Sequence, residues 1–267
     1  MRYEGNPKQI LTGRLFLLLL ICAFSLSLFG CAPQVFISPT LGAKFVLIPS
    51  GSFTMGSPND ERGRAADETQ HEVRISPSFY MQSTEVTQGQ WKKVMGNNPS
   101  TFKTCGDDCP VEQVFWNDVQ DFIEKLNKLE GVDNYRLPTE AQWEYAARAD
   151  TETKYNTGNN EDDLAKAGWY AGNSGGKTHP VGQKAPNAWG LYDMHGNVWE
   201  WVQDRYGEYL PGDAKNPEGP PNGSLRVFRG GSWYDFAPFC RSAMRYNYDG
   251  GPGNRGDGLG FRLIYKR

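Results

Sequence analysis

The segment NAWGLYDMHGNVWEW, residues 187–201, decides how the rest of the chain is read. It is rich in Gly, Asn, Asp and Trp and shows neither a helical nor a strand period. Residues 150–225 around it share that composition. They are not a linker, because Trp169, Trp189, Trp199 and Trp201 favour burial. The stretch reads as long ordered loops packed on a small core, and loops of that length are usually functional or organised by a ligand.

Regular elements flank this region. Before it, FVLIP and SFTMGS read as two short strands split by Pro49-Ser50-Gly51, HEVRIS (71–76) alternates, and FYMQSTEVT (79–87) resembles another strand. TQGQWKKVMG predicts a helix from near Thr87 to Gly96. WNDVQDFIEKLNKLEG (116–131) is the strongest helix, with Val119, Phe122, Ile123 and Leu126 on one stripe and Gly131 as its stop. LPTEAQWEYAARA predicts a third, opened by a Thr139–Gln142 capping box. After it, RVFRGGS (226–232), CRSAMRY (240–246) and GLGFRLIYK (258–266) read as closing strands. No internal repeat is visible. The expectation is one α+β domain over residues 44–267.

The chain has 267 residues, 28 Lys+Arg and 31 Asp+Glu, a net charge of −3 and a pI near 5.7. No polybasic surface follows from this, so nucleic acid is not an expected partner. With 31 Gly, 17 Pro and 13% aromatics it is loop-rich but not disordered, and its composition excludes collagen, coiled coil and a multi-span membrane protein.

The first thirty residues read as an address. Arg2, Lys8 and Arg14 stand against Glu4, and an apolar run of 15 residues follows at 15–29. That is short of the ~20 a spanning helix needs, so residues 1–30 read as a secretory signal. The run ends Leu28-Phe29-Gly30-Cys31, which resembles a bacterial lipobox with Cys31 as the lipid-modified first residue and Phe29 an unusual occupant. Residues 31–43 then form a tether with Pro33, Pro39 and Gly42. Ala32 in place of Asp favours the outer membrane, facing the periplasm or the cell surface. Removing residues 1–30 takes three basic groups from 28 and one acidic group from 31, leaving −5. Cys105 and Cys109 lie in TCGDDCP. A local disulfide is one reading, and a metal half-site without a second half is the other. Cys240 is left as an unpaired thiol.

Five segments, IPSGSFTMGS, YMQSTEVTQGQW, YRLPTEAQWEYAARA, NAWGLYDMHGNVWEW and RVFRGGSWYD…CRSAMR…GLGFRL, resemble the formylglycine-generating-enzyme, or sulfatase-modifying-factor, family over residues 44–267. The resemblance implies a C-type-lectin-like fold, with long loops around a small twisted antiparallel sheet. It also implies a calcium ion held by the Asp193 side chain, the Gly196 and Val198 carbonyls and the Glu200 side chain, a donor set of hard oxygens. The alternative is a turn capped by Asp193 with Glu200 on the surface. A second calcium loop near Asn173-Ser174 is not expected, because AGNSGGKTHP carries no carboxylate.

The active-site segment departs from the enzyme. Formylglycine generators carry two cysteines after the GGS strand that hold Cu(I). Here Ser232 matches the GGS serine, the first cysteine position falls on Asp235 and the second on Cys240. A carboxylate is a poor partner for soft Cu(I), so copper chemistry is not expected, and Cys240 reads best as a small buried hydrophobe. His71, His179 and His195 are far apart in sequence. The RGD triplet at 255–257 reads as a turn. The leading expectation is a calcium-stabilised cell-envelope lipoprotein that binds or assembles with a protein or glycan partner, with Tyr206, Tyr209, Tyr234, Tyr246 and Tyr248 as candidates for its surface or its core. An oxidoreductase acting on periplasmic proteins or peptides is the alternative, and a sulfatase activator a second.

Overall fold

The computed structural model describes residues 34–210, 212–248 and 256–266, together with the first two residues. The signal segment and Cys31 lie outside the described residues, as do residues 249–255, which include Arg255 of the RGD triplet, and the Tyr248 side chain. Asp257 stands in the expected turn before the last strands.

Among the described residues, three small sheets carry the domain. The first has five strands: Val35–Ile37 (β1), Lys44–Ile48 (β2), Phe79–Gln82 (β5), Ile264–Tyr265 (β12) and Tyr135–Arg136 (β6), all antiparallel. The second orders Arg245–Tyr248 (β10), Arg226–Arg229 (β9), Trp199–Arg205 (β7) and Leu259–Phe261 (β11), with only the β7–β11 pair parallel. The third joins Gly51–Met55 (β3), His71–Ile75 (β4) and Ala214–Lys215 (β8). The architecture is α+β with little regular structure.

The helices form where the pattern places them. Gln88–Met95 (α1) opens on the Thr87–Gln90 capping box and closes on Gly96 in the left-handed region. Trp116–Glu130 (α2) buries Val119, Phe122, Ile123 and Leu126 and ends at Gly131, φ 66°. Phe122 stacks on Trp91 at 5.3 Å and meets Phe261 edge-on at 5.4 Å, so both helices pack on the C-terminal strands. Glu140–Arg148 (α3) begins at the Thr139–Gln142 box.

Four expectations are corrected. The tether ends earlier than residue 43: β1 pairs with β2, and Leu41 and Ala43 are buried. The region 150–225 contains a helix, Glu161–Ala167 (α4), and the seven-residue strand β7. CRSAMRY is not one strand, because Ala237–Cys240 form a 3-10 turn and β10 starts only at Arg245. GLGFRLIYK breaks into β11 and β12.

Candidate functional site

Two glycine-rich loops are zipped together beside Ser232 and Cys240. Gly196 N–H donates to the Gly230 carbonyl at 2.8 Å, and Trp233 N–H donates to the Asn197 carbonyl at 2.9 Å. Gly231, φ 77°, lies against Cys240: a Cβ there would sit 2.6 Å from Sγ and 3.0 Å from the Phe239 carbonyl oxygen. Only glycine fits that backbone and that space. His195 completes the clamp. Its Nε2 accepts the Asn156 N–H at 3.0 Å, so Nδ1 carries the proton and donates to the Cys240 carbonyl at 2.8 Å. The ring is fully buried, and burial holds its pKa at about 4, so it is neutral and structural.

Ser232, Asp235 and Cys240 share this neighbourhood. The Ser232 hydroxyl and the Trp199 indole N–H, the latter at 2.7 Å, both donate to Asp235 Oδ2. Burial raises the Asp235 carboxyl, and those two donors oppose the rise. Cys240 is wholly buried and, among the described residues, unpaired. Burial, then the Asp235 charge, push its thiol well above the ordinary range, so it is neither a thiolate nor accessible. A carboxylate held by two donors and one sequestered thiol do not fit Cu(I).

The Asp193–Glu200 loop is also buried, but its carboxylates differ. Asp193 Oδ2 accepts the Gly182 N–H at 2.6 Å, while Oδ1 has no partner among the described residues. Glu200 is not on the surface, and it is not a free ligand. Arg262 holds it in a bidentate pair with both contacts at 2.6 Å, and Trp143 Nε1 donates to it at 2.8 Å. The guanidinium already neutralises Glu200, which the motif reading did not anticipate. Glu85, which the motif reading missed, is the other buried carboxylate here, and its Oε1 is unpartnered. Three carboxylates around one guanidinium leave excess negative charge. Burial, then Asp193 and Glu200, push Glu85 well above the usual carboxylate range, and burial carries Asp193 to about 6. Asp193 Oδ1 and Glu85 Oε1 are both buried hard oxygens without a partner among the described residues, the donor type that calcium takes. Among the described residues, no group of three or more His, Cys, Asp or Glu side chains is arranged to hold a metal.

Buried arginines fasten the C-terminal strands to the rest, and sequence reading assigned them no role. Arg229 pairs with Glu144, and Arg245 takes Glu140 in two bonds at 2.8 and 2.9 Å. Arg241, next to Cys240, holds both Glu68 oxygens, Glu61 and the Gly63 carbonyl. Buried pairs of this kind need every donor and acceptor satisfied, which these bidentate contacts largely achieve.

The rim is aromatic. Phe236 is 72% exposed, and Tyr234, Tyr246 and Phe239 are also exposed. Tyr246 packs on Phe228 at 5.4 Å and lies 6.0 Å from Trp199, whose indole holds Asp235. Tyr206 and Tyr209 are instead drawn inward, stacked on the Arg245 guanidinium. His71 lies against Tyr209, and His179 stacks on Trp169 at 3.8 Å, so the three histidines do not converge. Cys105 and Cys109 form a disulfide, Cα–Cα 5.9 Å. No helix among the described residues is long and apolar enough to cross a membrane.

Known proteins share this architecture. Residues 34–267 match the family described as "Sulfatase-modifying factor enzyme 1-like domain". "Chaperone protein LppX" of Paenibacillus barcinonensis is 31% identical over 274 residues, covering 82% of this chain and 88% of its own. The "Formylglycine-generating enzyme" of Bos taurus is 27% identical over 292 residues, 84% of this chain and 75% of the enzyme. Among solved structures, "Treponema denticola variable protein 1" has a TM-score of 0.78 at 33% identity, covering 88% of this chain and 99% of that one. On this evidence the chain belongs to the sulfatase-modifying-factor family of formylglycine-generating-enzyme-like proteins.

Proposed function

We propose that the protein is a cell-envelope lipoprotein whose domain binds or assembles with a protein partner and does not carry out copper-dependent oxidation. One observation carries this reading. The position that the resemblance matches to the first copper-binding cysteine holds Asp235, tied to Ser232 and Trp199, while Cys240 is sequestered and Phe236, Tyr234 and Tyr246 are exposed. An apolar exposed rim on a rigid frame suits recognition. The similarity to a protein named a chaperone agrees with a protein partner. Calcium at Asp193, with the Gly196 and Val198 carbonyls and Glu85, would neutralise buried charge and stiffen the loop that supports the rim. Cys31 would carry the lipid and hold the domain at the outer membrane.

Site-specific photo-crosslinking in cells tests the binding role. A crosslinker at Phe236 is expected to give discrete protein adducts that one at Lys125, on the exposed face of α2, does not. Identical patterns from the two positions would overturn it. Cys31→Ser is expected to abolish palmitate labelling, and unchanged labelling would defeat the anchor.

A further inference from the structure

A second concave site lies apart from Ser232, Asp235 and Cys240. It is a cavity of about 270 Å³, just below the range of about 300–1,000 Å³ typical for drug-sized ligands. Its walls are largely apolar, from Met55, Ala141, Tyr209, Ala214, Pro217 and Pro220. Its polar groups are Glu140, Asp204, Glu208, Glu218, Arg245 and His71.

These charges do not cancel inside the cavity. Arg245 is committed to Glu140 and to the carbonyls of Asp67 and Gly207, and is stacked between Tyr206 and Tyr209. Glu140 is held in turn by Arg245, Arg229 and the Tyr209 hydroxyl. Apart from His71, whose ring lies against Tyr209 and whose Nδ1 meets the Thr69 carbonyl, what remains is acidic: Glu208 and Glu218, both exposed, and Asp204, which is only 3% exposed. Asp204 Oδ2 accepts the Glu140 N–H at 2.8 Å, at the start of α3. Its Oδ1 accepts no hydrogen bond among the described residues and faces the Gly219 wall, where a Cβ would lie 3.2 Å away. Burial, then the Glu140 charge, hold this carboxyl well above the usual range. A carboxylate oxygen without a donor among the described residues, on a side chain 3% exposed that lines a largely apolar cavity whose arginine is committed elsewhere, suits an ammonium group.

We propose that this cavity binds a small organic cation, a protonated amine with an apolar body, with Asp204 Oδ1 accepting from the ammonium. Glu218, whose charge already reaches Asp204, adds long-range attraction at the mouth. The apolar body rests against Tyr209 and the prolines, and an aromatic face beside a cation adds to the preference.

The test is calorimetric titration of the full-length protein with 2-phenylethylamine, 2-phenylethanol and phenylacetate, which share size and shape but differ in charge. The amine is expected to bind at least tenfold more tightly than the alcohol, and the carboxylate not at all. Asp204→Asn keeps an acceptor for the Glu140 N–H and is expected to erase the difference between amine and alcohol. Ala214→Leu, which fills the wall and leaves the Asp204 carboxylate in place, is expected to remove both. Glu218→Gln lies on the surface, where folding is not at risk, and is expected to weaken the amine a few-fold and leave the alcohol unchanged. Equal affinities for amine and alcohol, unchanged amine binding in folded Asp204→Asn, or no binding of the amine at millimolar concentration would overturn the proposal.

Discussion

Removing the Glu68 carboxylate tests whether the buried ion network holds the Cys240 segment in place. Glu68 accepts from both terminal nitrogens of Arg241, at 2.6 and 2.7 Å, and takes further bonds from Ser57 Oγ and Ala65 N–H. Both side chains are fully buried. Breaking such a pair by deleting one partner leaves a buried charge uncompensated and costs about 3–5 kcal/mol. Glu61 still contacts Arg241 at 2.6 Å, so Glu68→Ala belongs at the low end, about 3 kcal/mol. For a domain of this size each kcal/mol shifts Tm by about 2–4 °C, so a fall of roughly 6–12 °C at pH 7 is expected by calorimetry. The sign with pH is fixed too. Burial tends to raise the Glu68 carboxyl, but Arg241 overrides it and the folded value lies below 4.5. Its stabilisation is therefore full above 4.5 and is lost as pH falls through the lower folded value. The gap between wild type and Glu68→Ala should close in acid. A Tm change under about 2 °C at pH 7, or a gap that does not shrink below pH 4, would refute the reasoning.

Other consequences follow from single positions. Gly231→Ala must accommodate φ 77° and a Cβ 2.6 Å from Cys240 Sγ; a loss of about 2–4 kcal/mol in denaturant unfolding is expected, and a loss under about 1 kcal/mol would refute that packing. Burial raises Glu112 to about 6 despite its two backbone donors, so its stabilising contribution is complete below pH 4.5 and falls as pH rises through 6. Carboxyl carbon NMR should show it titrating near 6, and a midpoint at 4.5 would contradict its burial. If calcium occupies Asp193, EGTA should lower Tm in the wild type but not in Asp193→Asn; equal shifts, or none, would remove the ion.

Helices α1, α2 and α3 were legible because their caps and apolar stripes are local, as Thr139 with Gln142 shows. Strand β7 was not, because Trp199, Glu200, Trp201 and Val202 are all buried and the alternation that signals a half-exposed strand is missing. In α4 only Leu164 and Ala167 are buried, too few to set a period. Ser232, Asp235 and Cys240 were singled out by the family resemblance, and they lie within nine residues of one another. The partner of Glu200 did not, since Arg262 lies 62 residues away, and Arg241 and Glu68 are 173 apart. No local pattern encodes pairs that only the tertiary fold brings together. Glu85 was hidden for the same reason, standing in a strand-like segment 112 residues from Asn197, which donates to it.

The most direct measurement is mass spectrometry of a cysteine-containing sulfatase-type peptide incubated with the Cu(I)-supplemented protein and oxygen, alongside the Asp235→Cys and Cys240→Ser variants. The account predicts no formylglycine from the wild type, because Asp235 is a hydrogen-bonded carboxylate and Cys240 a buried thiol. Conversion by the wild type that disappears in Cys240→Ser would contradict it and make the protein an oxidoreductase.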